Sequence, residues 1–122
     1  MTTARKTASR QPKVRILIGA ATALGPGKVD LLEAIARTGS IAAAAREKNM
    51  SYRRAWLLVD TMNRCFRDDL VVRTTGGRGG GGAKVTPMGL DVLARYRDME
   101  DKAAASVREE VAAFADLLAE EE

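Results

Sequence analysis

The pattern of apolar and polar positions along the chain predicts a series of short helices. The first runs from about Lys28 to Thr38, and Gly39 follows where helices commonly end in a left-handed residue. Its inward stripe consists of Leu31, Leu32, Ile35 and Ala36. Ser40 then offers an N-cap for a second, alanine-rich helix from Ile41 to about Glu47, whose small side chains allow close approach to a neighbour.

A third helix follows after the short turn "KNM". Ser51 caps it, and it runs from Tyr52 to about Arg67. Its inward stripe is Ala55, Val59, Met62 and Phe66. Largely off that stripe lie Tyr52, Arg53, Arg54, Leu57, Thr61 and Arg64. Two helices joined by so tight a turn, with the second opening on polar and basic side chains that face away from the core, indicate a helix-turn-helix.

Short β-branched runs flank these helices. "KVRILIG", from Lys13 to Gly19, predicts a strand, and "AATALGPG" then predicts a turn at Gly25-Pro26-Gly27. The runs "LVVRTT" and "AKVTP" stand on either side of a glycine tract and predict a β-hairpin. Thr86 can cap the helix that follows, with Pro87 at its first position.

The glycine tract has several conceivable roles. Its formal G-x-G-x-x-G lacks the helix that directly follows a dinucleotide fingerprint, and the P-loop pattern fails because Ala83 separates Gly82 from Lys84. A pure linker is disfavoured because strand-like runs flank the tract closely. The favoured role is the tip of a wing beside the helix-turn-helix. Arg78, Gly79, Gly80 and Lys84 would then approach a phosphate backbone or the adjoining minor groove.

From Pro87 the helical pattern continues to about Ala119, about 50 Å at 1.5 Å per residue. Apolar positions from Leu90 to Leu118 recur at a mean spacing of 3.5 residues, the period of helices that wrap another helix. If the helix packed only on its own domain, the apolar residues of its first half would be buried, but those of its second half would have no surface to pack against. We therefore predict a homodimer whose seam contains Leu93, Tyr96, Met99, Val107, Val111, Phe114 and Leu118.

The length and composition fit one domain with an appendage, because the chain has 122 residues of which 46% are hydrophobic. There is no histidine, Cys65 is alone, and Asp68-Asp69 beside Arg67 suits a turn better than acid–base catalysis. We therefore expect neither an enzyme nor a metal site. No apolar run approaches the ~20 residues of a membrane span, so we expect a soluble protein. The lone Cys65 fits a reducing cytoplasm, where we expect the protein to be located.

Charge is distributed unevenly along the chain. Residues 37–84 carry ten bases against four acids, whereas residues 108–122 have a balance of −5. The first residues contain Arg5, Lys6 and Arg10 without an acid, which favours a loose basic arm over a transit peptide. The basic middle suits a polyanion such as nucleic acid, and the alternative is a solvated face.

Residues Gly39 to Gly89 closely resemble the amino-terminal DNA-binding domain of ModE-type molybdate-dependent transcriptional regulators, and more distantly the winged helix-turn-helix of LysR-type regulators. The shared motifs are G-S-I-x-x-A-A, M-S-Y-R-R-A-W, M-N, T-G-G-x-G-G-G-G-A and V-T-P-x-G, and the resemblance covers about residues 14 to 100. It implies a winged-helix domain that dimerises through its carboxy-terminal helix and inserts one recognition helix per subunit into the major groove.

The resemblance also assigns residues to the DNA interface. Ser51, Tyr52, Arg53, Arg54 and Leu57 fall in the recognition helix. The rest of the helix-turn-helix and the wing contribute Ser40, Lys48, Arg78, Gly79, Gly80 and Lys84. The family's sensing members continue into molybdate-binding domains, whereas these residues end in "DLLAEEE" soon after the predicted dimer helix. We therefore expect neither molybdate nor another cofactor to be bound.

Together these patterns predict a mainly α protein with a small β-hairpin, a winged helix-turn-helix followed by a long carboxy-terminal dimerisation helix. The predicted segments are a flexible basic arm (1–12), the winged domain (13–88), the dimerisation helix (87–119) and an acidic tail (120–122). We expect sequence-specific binding to a pseudo-palindromic duplex as a homodimeric transcriptional regulator. The alternative is a protein-interaction or non-specific DNA-coating module, and a separate effector or partner protein is compatible with either.

Overall fold

The computed structural model describes residues 16–18, 21–74 and 82–119. Two compact units divide the chain, one spanning Arg15–Tyr96 and the other containing the residues from Arg97 onwards. In chain order the elements are β1 (Ile16–Ile18), β2 (Ala21–Leu24), α1 (Pro26–Thr38), α2 (Ile41–Glu47), α3 (Tyr52–Cys65), β3 (Val71–Thr74), β4 (Gly82–Val85), α4 (Pro87–Ser106) and α5 (Arg108–Ala115). The protein is mainly helical with a β-hairpin after α3, which confirms the predicted winged helix-turn-helix.

The core of the first unit is built around α1. This helix contacts α2, α3, β2 and β4, so it buries a wide face rather than a narrow stripe. Buried on it are Val29, Leu31, Leu32, Ala34 and Ile35. Ala36 was predicted to point inward and is instead exposed in the last turn. On α3 the predicted stripe is confirmed for Ala55, Val59 and Met62, while Phe66 lies just beyond the helix and is half-buried.

The segment before α1 differs from the prediction. Ala21–Leu24 was not assigned to a strand, but it forms β2 and pairs antiparallel with β1, with Ile16 opposite Leu24. Backbone pairing with β1 outweighs the weak strand propensity of alanine. The turn therefore shrinks to Gly25, and α1 begins at Pro26 rather than Lys28.

The helix junctions follow the predicted capping. Ser40 Oγ accepts a hydrogen bond from the Ala43 N–H, and Ser51 Oγ accepts one from the Arg54 N–H, each at 3.0 Å. Gly39 ends α1 with φ 71°. The turn between α2 and α3 is a Schellman motif. In it Asn49 has φ 57° and the Met50 N–H reaches the Ala45 carbonyl at 2.9 Å.

The predicted hairpin is confirmed by the pairing of β3 with β4. Val71 lies opposite Val85, and Val72 lies opposite Lys84. Val71, Ala83 and Val85 face the core, whereas Val72, Arg73 and Thr74 on β3 and Lys84 on β4 are exposed. The predicted wing tip, with Arg78, Gly79 and Gly80, lies outside the described residues, as do the basic arm and the acidic tail.

The hairpin is joined to both neighbouring segments by hydrogen bonds. The Ala83 N–H donates to the Gly39 carbonyl at 3.0 Å, which ties β4 to the α1–α2 junction. The Thr86 hydroxyl donates to the Asp69 carbonyl at 2.7 Å and caps α4 by accepting from the Gly89 N–H at 3.0 Å. The predicted Thr86 cap with Pro87 at the first helical position is thereby confirmed.

The single long helix predicted to run from Pro87 to Ala119 is wrong. The chain leaves helical geometry at Val107, with φ −117° and ψ 17°, and α5 begins at the next residue. The Ser106 hydroxyl donates to the Ala103 carbonyl at 2.8 Å, a side-chain bond that competes with regular helix bonding. Within the described ranges no helix is long and apolar enough to cross a membrane.

Tyr96 requires a second correction. Its position in the 3.5-residue repeat predicted a dimer contact, but the side chain is fully buried in the core of its own unit. Leu93 also packs partly against that core. We therefore remove Tyr96 from the predicted seam.

Candidate nucleic-acid interface

The outer face of α3 is free of the core along its first two turns. Tyr52, Arg53 and Arg54 are exposed, and Leu57 is 56% exposed despite its apolar side chain. On the opposite face of α3, Ala55 and Val59 are buried and pack against the core. This arrangement presents the predicted recognition residues outward together.

Several cations of the helix-turn-helix and hairpin lack an acidic partner among the described residues. They are Arg46, Arg53, Arg54, Arg73 and Lys84. Several other exposed bases are paired: Arg64 lies 2.8 Å from Asp60, Arg95 lies 3.0 Å from Asp91, and Lys102 lies 3.1 Å from Asp98. The unpaired set is therefore available to an external anion.

Glu47, an acid within α2, forms an ion pair with Arg37. Arg37 donates to both of its carboxylate oxygens at 2.7 Å, and Lys48 Nζ lies 4.0 Å away. The hydrogen bonds from Arg37 lower the pKa of Glu47 below its usual value, and those same bonds raise the pKa of Arg37. Because the negative charge of Glu47 is neutralised by Arg37, it does not offset the unpaired bases, and the surface of the helix-turn-helix remains positive. Lys48, also predicted to contact DNA, lies near Glu47 and is at the edge of ion-pair distance from it. Ser40 and Ser51, likewise predicted as interface residues, use their side-chain oxygens as helix N-caps.

An aromatic cluster at the start of α3 was not foreseen from the sequence. Tyr52 and Trp56 meet edge to face, with ring centroids 6.4 Å apart and an interplanar angle of 83°. From β3, the guanidinium carbon of Arg73 lies 4.6 Å from the centroid of the indole. The indole N–H is buried and has no hydrogen-bond partner in the part of the chain that the structure describes. The i, i+4 spacing of Tyr52 and Trp56 could have predicted their contact from the sequence. The contact with Arg73 could not be predicted in this way, because it depends on where the hairpin lies.

Asn63 connects α3 to the hairpin and was also missed as an individual residue. Its Oδ1 accepts from the Leu70 N–H at 2.8 Å and from the Val71 N–H at 3.2 Å. Its Nδ2 donates to the Val71 carbonyl at 3.0 Å. A polar residue near the end of an amphipathic helix carries no sequence signal for such a bond. This side chain fixes where β3 departs from α3.

Replacing Asn63 by alanine should lower the free energy of unfolding by about 1 to 3 kcal/mol, because two half-buried backbone N–H groups would lose their acceptor. Urea denaturation followed by circular dichroism measures the change. Thr61→Ala is the matched control on the same helix, since the Thr61 hydroxyl donates to the carbonyl of Leu57 in its own helix and bonds no other described residue. Equal stability of the two variants would contradict this role of Asn63.

The predicted seam residues of the second unit differ in exposure. Val107 and Val111 are half-buried, whereas Met99, Phe114 and Leu118 are exposed. Leu117, which was not predicted, is 78% exposed. The described part of this unit therefore presents several large apolar side chains to its surroundings.

Sites for other chemistry are not apparent in the described ranges. No group of three or more His, Cys, Asp or Glu side chains there is placed to hold a metal ion. Cys65 is a free, half-buried thiol at the end of α3.

Comparison with known proteins bears on this surface. Residues 27–90 match the family described as "Bacterial regulatory helix-turn-helix protein, lysR family". The chain is 48% identical over 79 residues to "Molybdenum transport protein ModE" of Azotobacter vinelandii, covering 65% of this chain and 29% of that protein. It is 47% identical over 77 residues to "Molybdenum-pterin-binding protein MopB" of Rhodobacter capsulatus, covering 63% of this chain and 28% of that protein.

A third relative is "DNA-binding transcriptional dual regulator ModE" of Escherichia coli K12, 41% identical over 71 residues, covering 58% of this chain and 27% of that protein. The chain thus spans less than a third of the length of these relatives. The family match covers more than half of the chain and extends from α1 through the hairpin into α4. This chain therefore belongs to the LysR family of bacterial regulatory helix-turn-helix proteins, with a helix-turn-helix domain similar to that of the ModE regulators.

Proposed function

We propose that this chain binds double-stranded DNA sequence-specifically, as a homodimer, and regulates transcription. The observation that carries the proposal is the outer face of α3, where Arg53 and Arg54 are exposed and have no partner in the described part of the chain. Neither side chain makes a hydrogen bond or an ion pair with another described residue. Family membership and the printed name of the Escherichia coli relative support the same function.

In the proposed complex α3 enters the major groove with its N-terminal turns. An arginine can donate two hydrogen bonds to O6 and N7 of a guanine, and such a pair gives about 1 to 3 kcal/mol of discrimination. The guanidinium groups of Arg53 and Arg54 are exposed and have no other partner among residues 21–74 and 82–119. Leu57, exposed one turn further on, can contact a thymine methyl group.

Phosphate contacts would fix the orientation of the domain on the duplex. Arg46 on α2, which packs against α3, and Lys84 on β4 of the hairpin are exposed cations. Contacts of this kind carry no base information and weaken as salt rises. No small-molecule cofactor is required for either kind of contact.

A twofold dimer would place its two recognition helices about 34 to 36 Å apart, one turn of DNA, and would select a pseudo-palindromic site. The exposed side chains of Met99, Phe114 and Leu118 support dimerisation through the second unit. Because the helix breaks at Val107, the proposed interface consists of two helical segments rather than one continuous rod.

Phe114→Ser combined with Leu118→Ser should convert the dimer to a monomer at micromolar concentration, because both substitutions remove apolar area from the proposed interface. Sedimentation velocity measures the mass. Ala112→Ser is the control, since it changes an exposed neighbour that is outside the apolar repeat. A wild-type protein that sediments as a monomer would contradict the dimer.

DNA binding itself is tested with a duplex enriched from a random pool and a shuffled duplex of the same base composition. At about 0.15 M salt, specific binders prefer their site by roughly 10³-fold or more. We expect a preference of this size for the enriched duplex. Equal binding to both, abolished at moderate salt, would favour a non-specific DNA-coating module, and no binding to either would favour a protein-interaction module.

A further inference from the structure

A single indole joins the proposed recognition helix to the hairpin. Trp56 lies one turn after Tyr52 on α3 and contacts its ring edge to face. On the other side the Arg73 guanidinium of β3 lies over the indole, 4.6 Å from its centroid. Trp56 therefore places a cation from the hairpin beside the first turns of α3.

Arg73 differs from the paired arginines of the surface. Its side chain is exposed, and in the described part of the chain it has no acidic or carbonyl partner. Arg37 and Arg64, in contrast, donate to carboxylates at 2.7 and 2.8 Å. A ring face attracts the guanidinium charge without occupying its N–H donors in conventional hydrogen bonds. Arg73 is thus held in place with its donors still available.

Holding an arginine before binding favours affinity. A free arginine side chain loses rotamer entropy when it becomes ordered on a ligand, and an arginine already ordered by the protein loses less. Guanidinium groups also match the geometry of phosphate oxygens. An ordered cation beside the recognition helix, with free donors, suits the sugar-phosphate backbone that borders the occupied groove.

We infer that Arg73 binds a DNA phosphate beside the major groove, and that Trp56 is the positioning residue that holds Arg73 for this contact. The inference rests on the proposed function and adds a contact that the recognition-helix residues do not supply. The competing explanation is that the interaction of Arg73 with Trp56 only stabilises the hairpin.

The first test is the salt dependence of DNA affinity for Arg73→Ala. Removing one arginine–phosphate interaction should weaken binding roughly tenfold for enriched and shuffled duplexes alike. The slope of log K against log salt should become shallower by about 0.9. Arg95→Ala removes the same charge from α4 and should leave affinity and slope nearly unchanged. Arg73→Gln repeats the test with a longer side chain should Arg73→Ala disturb the hairpin.

The second test concerns Trp56. Trp56→Phe keeps an aromatic face and should retain most of the affinity, whereas Trp56→Leu should remove much of the contribution of Arg73. In the Trp56→Leu background, Arg73→Ala should then weaken binding little further, because Arg73 is no longer held toward the phosphate. A purely structural role predicts instead that Trp56→Leu lowers the unfolding temperature while Arg73→Ala leaves the salt slope intact.

The outcomes separate this inference from the proposed function. Trp56 is the only tryptophan of the chain, so its fluorescence reports binding of the wild type and the Arg73 and Arg95 variants to unlabelled duplex. The Trp56 variants are measured by the anisotropy of a labelled duplex. If the wild type prefers its enriched duplex while Arg73→Ala matches Arg95→Ala in affinity and slope, only the inference about Arg73 is overturned. If the wild type shows no sequence preference, the proposed sequence-specific function is overturned, whatever Arg73→Ala does to affinity and slope.

Discussion

Replacing Gly89 by alanine is expected to destabilise the winged domain by about 3 kcal/mol, near the upper end of the usual cost of overpacking a core. Gly89 is a buried residue in the first turn of α4. A Cβ atom there would lie 2.6 Å from Val85 Cγ1 and closer still to the Leu70 carbonyl oxygen. The backbone of Leu70 would have to move, and that carbonyl also accepts the Thr86 N–H at 2.9 Å.

Urea denaturation followed by circular dichroism measures the change. Gly27→Ala is the matched control, because a Cβ at Gly27 in α1 would meet no atom within 4 Å and alanine has the higher helix propensity. We expect Gly27→Ala to be neutral or stabilising. A Gly89→Ala protein as stable as the wild type would show that α4 does not pack this closely on the hairpin.

The double substitution Arg53→Ala, Arg54→Ala should abolish the preference for an enriched duplex over a shuffled one. Removing each bidentate arginine–guanine pair would reduce discrimination by about 1 to 3 kcal/mol. The residual non-specific affinity should persist, because Lys84 and Arg46 would remain. The free energy of unfolding should stay within about 0.5 kcal/mol of the wild type, since both side chains are exposed and unpaired within the described structure.

Competition binding with the two duplexes, followed by fluorescence anisotropy, measures the preference. Substituting Arg95 and Lys102 together by alanine removes the same charge outside the helix-turn-helix and should preserve it. Unchanged preference in the Arg53→Ala, Arg54→Ala protein would mean that the duplex is read by another part of the chain.

Local signals predicted the helix-turn-helix well. Ser40, Ser51 and Thr86 each act as the helix cap that their position indicated. The inward stripe of α3 follows the helical period, and the β-branched runs around the glycine tract form β3 and β4. These features depend on neighbours within a few residues, so the sequence contains most of what determines them.

Features that depend on distant partners were not predictable in the same way. The strand β2 exists because β1 pairs with it. Tyr96 shares its spacing with seam residues, and only the packing of the whole domain shows that it belongs to the core. Among site residues, Arg53 and Arg54 followed from helical phase, whereas the contacts of Asn63 and Arg73 join α3 to a hairpin several residues away.

Selection of bound duplexes from a random pool tests the central claim most directly, because it reports sequence specificity and symmetry in one measurement. For the wild type we expect a pseudo-palindromic motif whose half-sites are centred about 10 to 10.5 base pairs apart, or a multiple of that spacing. The same selection with Arg53→Ala, Arg54→Ala should yield no motif. A pool that shows no enrichment with the wild type, or the same motif with both proteins, would contradict the account.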